Sequence, residues 1–234
     1  MENLNGVLYI VSVPIGNLED ITLRALRILK EADIIAAEDT RHTRKLLSYY
    51  DIHTPIISYY EYNEVQRNTL LIRKLLNGEK VALVPDSGTP AISDPGYSII
   101  NECIKAGVQI TPIPGPSALL AAIAISGFPL HNFIFEGFLP SKKSGRVKKL
   151  DVLKNEVRTI ALFESPHRLL KSLIDMLEIL GDRELLIAND ITKVYEELYR
   201  GTISQAIQKY TESVPRGEFT IVIRGARPDE FQDN

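Results

Sequence analysis

Between Val81 and Gly96 the chain reads VALVPDSGTPAISDPG, four apolar residues running into a loop of three prolines, two glycines, two aspartates and three small hydroxyls. A short apolar run bounded by turn residues predicts a buried parallel strand, and ligands of open α/β sheets bind beyond the carboxyl ends of such strands. Similar small-residue segments follow other apolar runs, at Pro14 to Gly16 and Pro114 to Ala118. Together they offer backbone amides, carbonyls and carboxylates without concentrated positive charge. The first run is followed by VPIGNLED, so the glycine pattern of dinucleotide-binding folds is missing, as is the phosphate loop GxxxxGK[ST]. That chemistry argues against NAD and a P-loop nucleotide and suits a compact cofactor carrying an amine, a carboxylate and a sulfonium. Asp86 and Asp94 also suit plain turn formation through side-chain to backbone bonds.

Other reactive groups are dispersed. His42, His53, His131 and His167 lack metal-ligand spacing, so no metal is expected, and no serine sits in a GxSxG elbow. Cys103, the one cysteine, lies in the amphipathic stretch NECIKAGV and reads as a buried helix residue. Net charge is −3, yet basic residues cluster at Arg41, His42, Arg44 and Lys45, and at Lys142, Lys143, Arg146, Lys148 and Lys149 in SKKSGRVKK. Each cluster reads either as a solvated surface or as a set of phosphate contacts.

The elements that must hold these groups follow a regular order. Apolar runs at 8–13, 33–38, 55–59, 81–84 and 108–113 alternate with helical patterns at 21–32, 43–50, 65–77 and 96–106. This βαβ alternation predicts a parallel sheet covered on both faces, with Gly78 and Gly107 at helix C-caps. A second block opens with the small-residue helix pattern after Pro116 and Ser117. It continues through strand-like 132–139, the basic segment 141–149, strand 159–164, a helix from Ser165 to Gly181, strand 184–190, a capping box at Thr202 and Gln205, and strand 219–224. The expected architecture is two α/β domains, residues 1–112 with a parallel sheet flanked by helices and residues 113–228 with a mixed sheet, followed by a frayed tail at 229–234. With 44% hydrophobic residues the chain supports real cores. No basic leader and no membrane-length apolar window are visible, so a cytoplasmic location is expected.

In order and across nearly all of the chain, VPIGNLEDIT, AAEDTRHTRKLL, VPDSGTPAISDPG, PGPSA, FEGFLP, FESPHR, ITKVYEE and RGEFTIVI resemble the ribosomal RNA small subunit methyltransferase I family. That family belongs to the tetrapyrrole-methylase-like methyltransferases, whose two α/β domains hold S-adenosylmethionine in the cleft between them. The resemblance implies methyl transfer to the 2'-hydroxyl of a cytidine ribose in small-subunit ribosomal RNA, free or in the assembled 30S subunit, by a homodimer. Longer members carry a C-terminal helical extension that this chain does not show, and Tyr60 and Tyr62 stand where many members have histidines.

By the same resemblance the cofactor touches Pro14, Asp86, Ser87, Gly88, Ile92, Ser93, Ser117, Ala118, Phe163 and the segment Gly217, Glu218 to Thr220. Asp86 would balance the cofactor's amine or sulfonium charge. Aligning the 2'-oxygen with methyl and sulfur supplies much of the acceleration, but the hydroxyl must still lose a proton. Candidates are Lys193, Glu164, Asp39 and Glu38, each just past an apolar run. Lys193 ranks first, provided burial or a cation lowers its pKa; Glu164 and Arg168 also suit helix capping and a surface ion pair. Arg41, Arg44, Lys45, Lys142, Lys143, Arg146, Lys148 and Lys149 are the phosphate-contact candidates, and Tyr59, Tyr60 and Tyr62 the stacking ones. Two other readings stay open: a tetrapyrrole or other small-molecule methyltransferase of the same fold, and a non-catalytic RNA-binding module.

Overall fold

A computed structural model of the chain describes residues 6–212 and 214–227. The expected frayed tail at 229–234 lies outside the described residues. The chain divides into two compact units, parting between Ser117 and Ala118.

The first unit holds the strands β1 (Val7–Val11), β2 (Ile34–Ala37), β3 (Ile56–Ser58), β4 (Val81–Val84) and β5 (Gln109–Ile113). Between them run the helices α1 (Leu23–Glu31), α2 (Thr40–Tyr49), α3 (Glu64–Leu76) and α4 (Tyr97–Lys105). All pairings are parallel, in the order β3-β2-β4-β1-β5. Every residue of β2 and β4 is buried, which is why both read as unbroken apolar runs rather than alternating ones. Thr22 starts α1 by accepting the Ala25 amide at 3.0 Å, and Asp39 does the same for α2 through the Arg41 amide at 2.8 Å.

Helices α1 and α2 pack on one face through Ala25, Ile28, Leu29, Leu46 and Leu47. Helices α3 and α4 cover the other through Leu71, Leu75, Ile99 and Cys103. Fully buried leucines such as Leu29 and Leu71 contribute about 1.5–3 kcal/mol each. Strand β4 lies between β2 and β1, yet the helix that follows it sits on the opposite face from those that follow its neighbours. The connections therefore diverge at the carboxyl end of β4, which opens the crevice where such sheets bind ligands.

The second unit contains α5 (Ala118–Ala124), β6 (Phe133–Phe138), α6 (Lys143–Leu153), β7 (Thr159–Glu164), α7 (Leu169–Leu180), β8 (Glu184–Asn189), β9 (Glu197–Thr202), α8 (Ile203–Glu212) and β10 (Phe219–Ile223). The sheet order is β6-β7-β10-β8-β9, with β6 and β7 parallel and the remaining pairs antiparallel. This is the expected mixed sheet. Its core joins Leu150 and Leu153 of α6, Leu173 and Met176 of α7 and Ile203 and Tyr210 of α8 to Leu162, Ile187 and Ile221. The capping box is present, the Thr202 amide donating to Gln205 Oε1 at 3.0 Å. Strand β9 was not anticipated. Its sequence, ELYRGT, is polar, and it is an edge strand whose residues stay exposed or half-buried.

Candidate functional site

Three loops at the carboxyl edge of the first sheet are stitched together. Val13 and Gly88 exchange backbone hydrogen bonds at 2.8 and 3.1 Å, joining the loop after β1 to the loop after β4. The hydroxyls of Ser12 and Thr89 lie 2.9 Å apart, and the Ser12 amide donates to the Ile113 carbonyl at 3.2 Å. Pro14, Asp86, Ser87 and Ser117 are half-buried on this edge, Gly88 is buried, and Ile92 and Ser93 are exposed. The structure thus gathers the predicted cofactor residues of the first unit.

The loop after β4 stores backbone strain. Ala91 and Ser93 adopt φ of 68° and 67°, a region that residues with side chains rarely enter. Gly96, at φ 141°, closes the loop where a Cβ would come within 3.0 Å of Leu83. The donor set of these loops fits a compact cofactor with an amine and a sulfonium: backbone groups and one oriented carboxylate, with no lysine or arginine in Ser12 to Gly16, Pro85 to Gly96 or Pro114 to Ser117.

Asp86 is held by its neighbours in the loop after β2. Its carboxylate accepts the Asp39 amide at 3.0 Å, and its own amide donates to Glu38 Oε2 at 3.1 Å. Glu38 is raised above the ordinary glutamate pKa, chiefly by burial; the Asp86 amide opposes this, while the charges of Asp86 and Asp39 add to it. Glu38 also lines an open cavity of about 540 Å³ together with Tyr60 and Ser93.

Asp39, another proton-acceptor candidate, is engaged by its own neighbours. It caps α2 and is gripped by the Arg41 guanidinium at 2.7 Å. Those hydrogen bonds hold its carboxyl far below the usual carboxylate range.

In the second unit, Phe163 of β7 and Thr220 of β10 are cross-strand partners. They stand on the face opposite Leu162 and Ile221, the face against which α5, beginning at Ala118, packs. Phe163 sits among Phe135 and Phe138, ring centroids 5.0 and 5.6 Å away. Two predicted cofactor residues, Phe163 and Thr220, therefore share one face of this sheet.

Lys193, ranked first as proton acceptor, is tied into two ion pairs. Its ammonium donates to Asp190 Oδ1 at 2.6 Å and Glu218 Oε2 at 2.9 Å. Partial burial alone would lower its pKa, but the two carboxylate bonds outweigh that and the net shift is upward. The lysine stays charged and ties the turn before β10 to the turn after β8. Asp190 Oδ1 also accepts the Glu218 amide at 3.2 Å. Gly217, at φ 84°, passes so close that a Cβ would lie 2.1 Å from Asp190 Oδ2, so only glycine fits there. Sequence reasoning missed Asp190, although its place at the end of an apolar run, three residues before Lys193, was a usable signal.

Glu164, the remaining candidate, is enclosed. Its side chain is fully buried and accepts from the Ser165 amide at 2.8 Å, from the Ser172 hydroxyl and from Arg168. A carboxylate saturated by structural partners has no access to a substrate proton.

Among the phosphate-contact candidates, Arg41, Arg44 and Lys45 are exposed on α2, and Lys142, Lys143 and Lys148 are exposed around α6. Lys149 pairs with Glu136. Arg146 is corrected: it is 4% exposed and buried against Asp175 at 2.6 Å, with the Ser141 carbonyl at 3.1 Å. Tyr59 is corrected as a stacking residue, being fully buried with its hydroxyl donating to Asn68 at 3.0 Å. Cys103 is buried, and burial pushes its thiol up to about 11. Among the described residues no group of three or more His, Cys, Asp or Glu gathers to hold a metal ion, and no helix is long and apolar enough to cross a membrane.

Residues 7–207 match the family described as Tetrapyrrole (Corrin/Porphyrin) Methylases. The fold is similar to that of uroporphyrin-III C-methyltransferase from Thermus thermophilus complexed with S-adenyl homocysteine, with a TM-score of 0.66 and 21% identity over 93% of this chain and 97% of that one. The ribosomal RNA small subunit methyltransferase I of Thermotoga maritima is 51% identical, covering 94% of this chain and 99% of its own. That of Synechocystis is 49% identical, covering 96% and 81%. Identity at this level along nearly the whole chain goes beyond a shared fold, and the chain belongs to the ribosomal RNA small subunit methyltransferase I family.

Proposed function

We propose that the chain transfers a methyl group from S-adenosylmethionine to the 2'-hydroxyl of a cytidine ribose in small-subunit ribosomal RNA. The observation that carries the reading is the stitched, lysine- and arginine-free loop set at the carboxyl edge of the first sheet, in a chain of this family. When bound, the cofactor supplies an electrophilic methyl group on a positively charged sulfur. In the first unit the candidate contacts are Pro14, Asp86, Ser87, Gly88, Ile92, Ser93 and Ser117; in the second they are Ala118, Phe163, Gly217, Glu218 and Thr220. Asp86 offsets the positive charge, its carboxylate aimed by the Asp39 amide.

Glu38 takes the proton of the ribose hydroxyl. It is half-buried with a raised pKa, lines the cavity beside Ser93, and is oriented by the Asp86 amide. Lys193 positions the Gly217 to Glu218 turn rather than moving a proton. Arg41, Arg44, Lys45, Lys142, Lys143, Lys148 and Lys149 remain the phosphate contacts. A tetrapyrrole acceptor rests on the broad family match and on likeness of fold, neither of which fixes the acceptor, whereas the relatives at about half identity are named ribosomal RNA methyltransferases. The reading also expects a homodimer, which sedimentation measures directly, and action in the cytoplasm, where ribosomes are assembled.

The test is methyl transfer from labelled cofactor into small ribosomal subunits of a strain lacking the enzyme. Label mapped to the 2'-oxygen of one cytidine is expected; no label above background overturns the reading.

A further inference from the structure

The cavity at the carboxyl ends of β2 and β3 is built differently from the loops beside it. Its wall includes Tyr60, Tyr62, Glu38, Glu61, Glu64 and Ser93, and among the described residues no lysine or arginine lines it. A pocket of this charge repels phosphate. It favours a flat, π-faced group that donates hydrogen bonds. Tyr60 and Tyr62 are exposed, their ring centroids 6.5 Å apart and their planes inclined at 66°, so a flat group that stacks on one ring meets the other at its edge. Glu64 is pre-oriented, its Oε1 accepting the Gly96 amide at 3.2 Å, while Glu61 is exposed.

Two neighbouring features say what kind of molecule brings such a group. Ser93 and Glu38 belong both to this wall and to the loops assigned above to the cofactor and the proton acceptor. The residues just past Glu38 begin α2, which carries Arg41, Arg44 and Lys45 exposed. A nucleotide meets all three requirements at once: phosphates for the basic helix, a ribose beside the cofactor loop, and a base, one carbon away from the 2'-position, for the cavity.

We propose that this cavity is the subsite for the acceptor's base, unstacked from its RNA neighbours, with one ring of the Tyr60–Tyr62 pair stacking on it and the other meeting its edge, and Glu61 and Glu64 accepting hydrogen bonds from the exocyclic N4 amine of cytosine. Uracil presents an oxygen acceptor at that position, which faces the same carboxylates unfavourably. The subsite rests on the RNA methyltransferase reading and adds how the acceptor is chosen.

The experiment uses reconstituted small subunits carrying cytidine or uridine at the methylated position. Transfer kinetics are measured alongside calorimetric binding of S-adenosylhomocysteine. Wild-type protein prefers cytidine. Glu61→Gln and Glu64→Gln place an amide donor where the carboxylate was, and lower the cytidine over uridine preference by about tenfold. Tyr60→Ala with Tyr62→Ala raises KM for the subunit by about tenfold. Unchanged binding of S-adenosylhomocysteine in every variant shows that the unit is folded and the cofactor site intact. Glutamine variants that keep the wild-type base preference overturn the subsite while leaving the methyltransferase reading standing. Absence of transfer by the wild-type protein into either subunit overturns both.

Discussion

The carboxylate of Glu38 accepts the backbone amide of Asp86 at 3.1 Å, while the carboxylate of Asp86 accepts the amide of Asp39 at 3.0 Å. This reciprocal clasp joins the loops after β2 and β4, the strands that flank the point where the connections diverge. It fixes two carboxylates that cannot both be solvated freely. Burial and the neighbouring charges push Glu38 upward, whereas the Arg41 hydrogen bonds push Asp39 downward, which leaves Glu38 the better proton acceptor of those two.

Glu38→Gln keeps an oxygen to accept the Asp86 amide but cannot take a proton. Its kcat is expected to fall by about 10²- to 10⁴-fold, the usual contribution of a general base, with S-adenosylhomocysteine affinity unchanged by calorimetry. In the wild-type protein, activity rises with pH as Glu38 ionises, with a midpoint above that of an ordinary glutamate. A carboxyl whose folded pKa is raised stabilises the fold below its unfolded pKa and loses that contribution as pH rises through the folded value. At neutral pH the glutamine variant is therefore expected to melt no earlier than wild type. A kcat within threefold of wild type would remove Glu38 from the mechanism.

Lys193→Ala separates positioning from proton transfer. The lysine side chain is 35% exposed, so its two ion pairs are worth about 1 kcal/mol after solvent screening. The variant is expected to bind S-adenosylhomocysteine about fivefold more weakly, with the pH profile of kcat unaltered. Because the folded pKa of Lys193 is raised, its stabilisation is complete below the unfolded lysine value and disappears only as pH climbs through the folded one. Loss of an alkaline limb from the rate profile, with affinity intact, would restore the lysine as base.

What the sequence revealed and concealed follows from the range of the interactions. The all-parallel first sheet was legible because each strand is an apolar run bounded by turn residues, and the loop after β4 because its prolines, glycines and hydroxyls are contiguous. Both are local signals. Arg146 looked like one more cation in SKKSGRVKK because its partner, Asp175, lies on another helix 29 residues away. Tyr59 looked like its neighbours Tyr60 and Tyr62, yet strand alternation and the Asn68 hydrogen bond send it inward. Lys193 was recognisable as placed near a functional turn, but its protonation depends on Glu218, 25 residues later.

Arg146→Met should behave as a core defect. Removing one partner of a pair whose side chains are 5% and 4% exposed leaves the buried Asp175 with only the exposed Lys143 ammonium, 3.6 Å away, as countercharge, at a cost of up to about 3–5 kcal/mol. Urea denaturation is the measurement. Replacing Asp175 by Leu in the same variant is expected to recover much of the loss, since a packed apolar pair carries no desolvation penalty. A fully stable Arg146→Met protein with weakened RNA binding would return Arg146 to the phosphate contacts.

Arg44 and Lys45 test the phosphate assignment where the side chains are exposed on α2. Each phosphate contact releases condensed counterions, so the logarithm of the binding constant falls with the logarithm of salt in proportion to the number of contacts. Arg44→Gln with Lys45→Gln is expected to weaken binding to small subunits and to reduce that slope by about two, because two contacts are removed. Cytidine over uridine preference should not move, since phosphate contacts position the RNA without reading its bases. A slope equal to that of wild type would show that α2 faces away from the RNA, and would shift the search to Lys142, Lys143 and Lys148 at the start of α6.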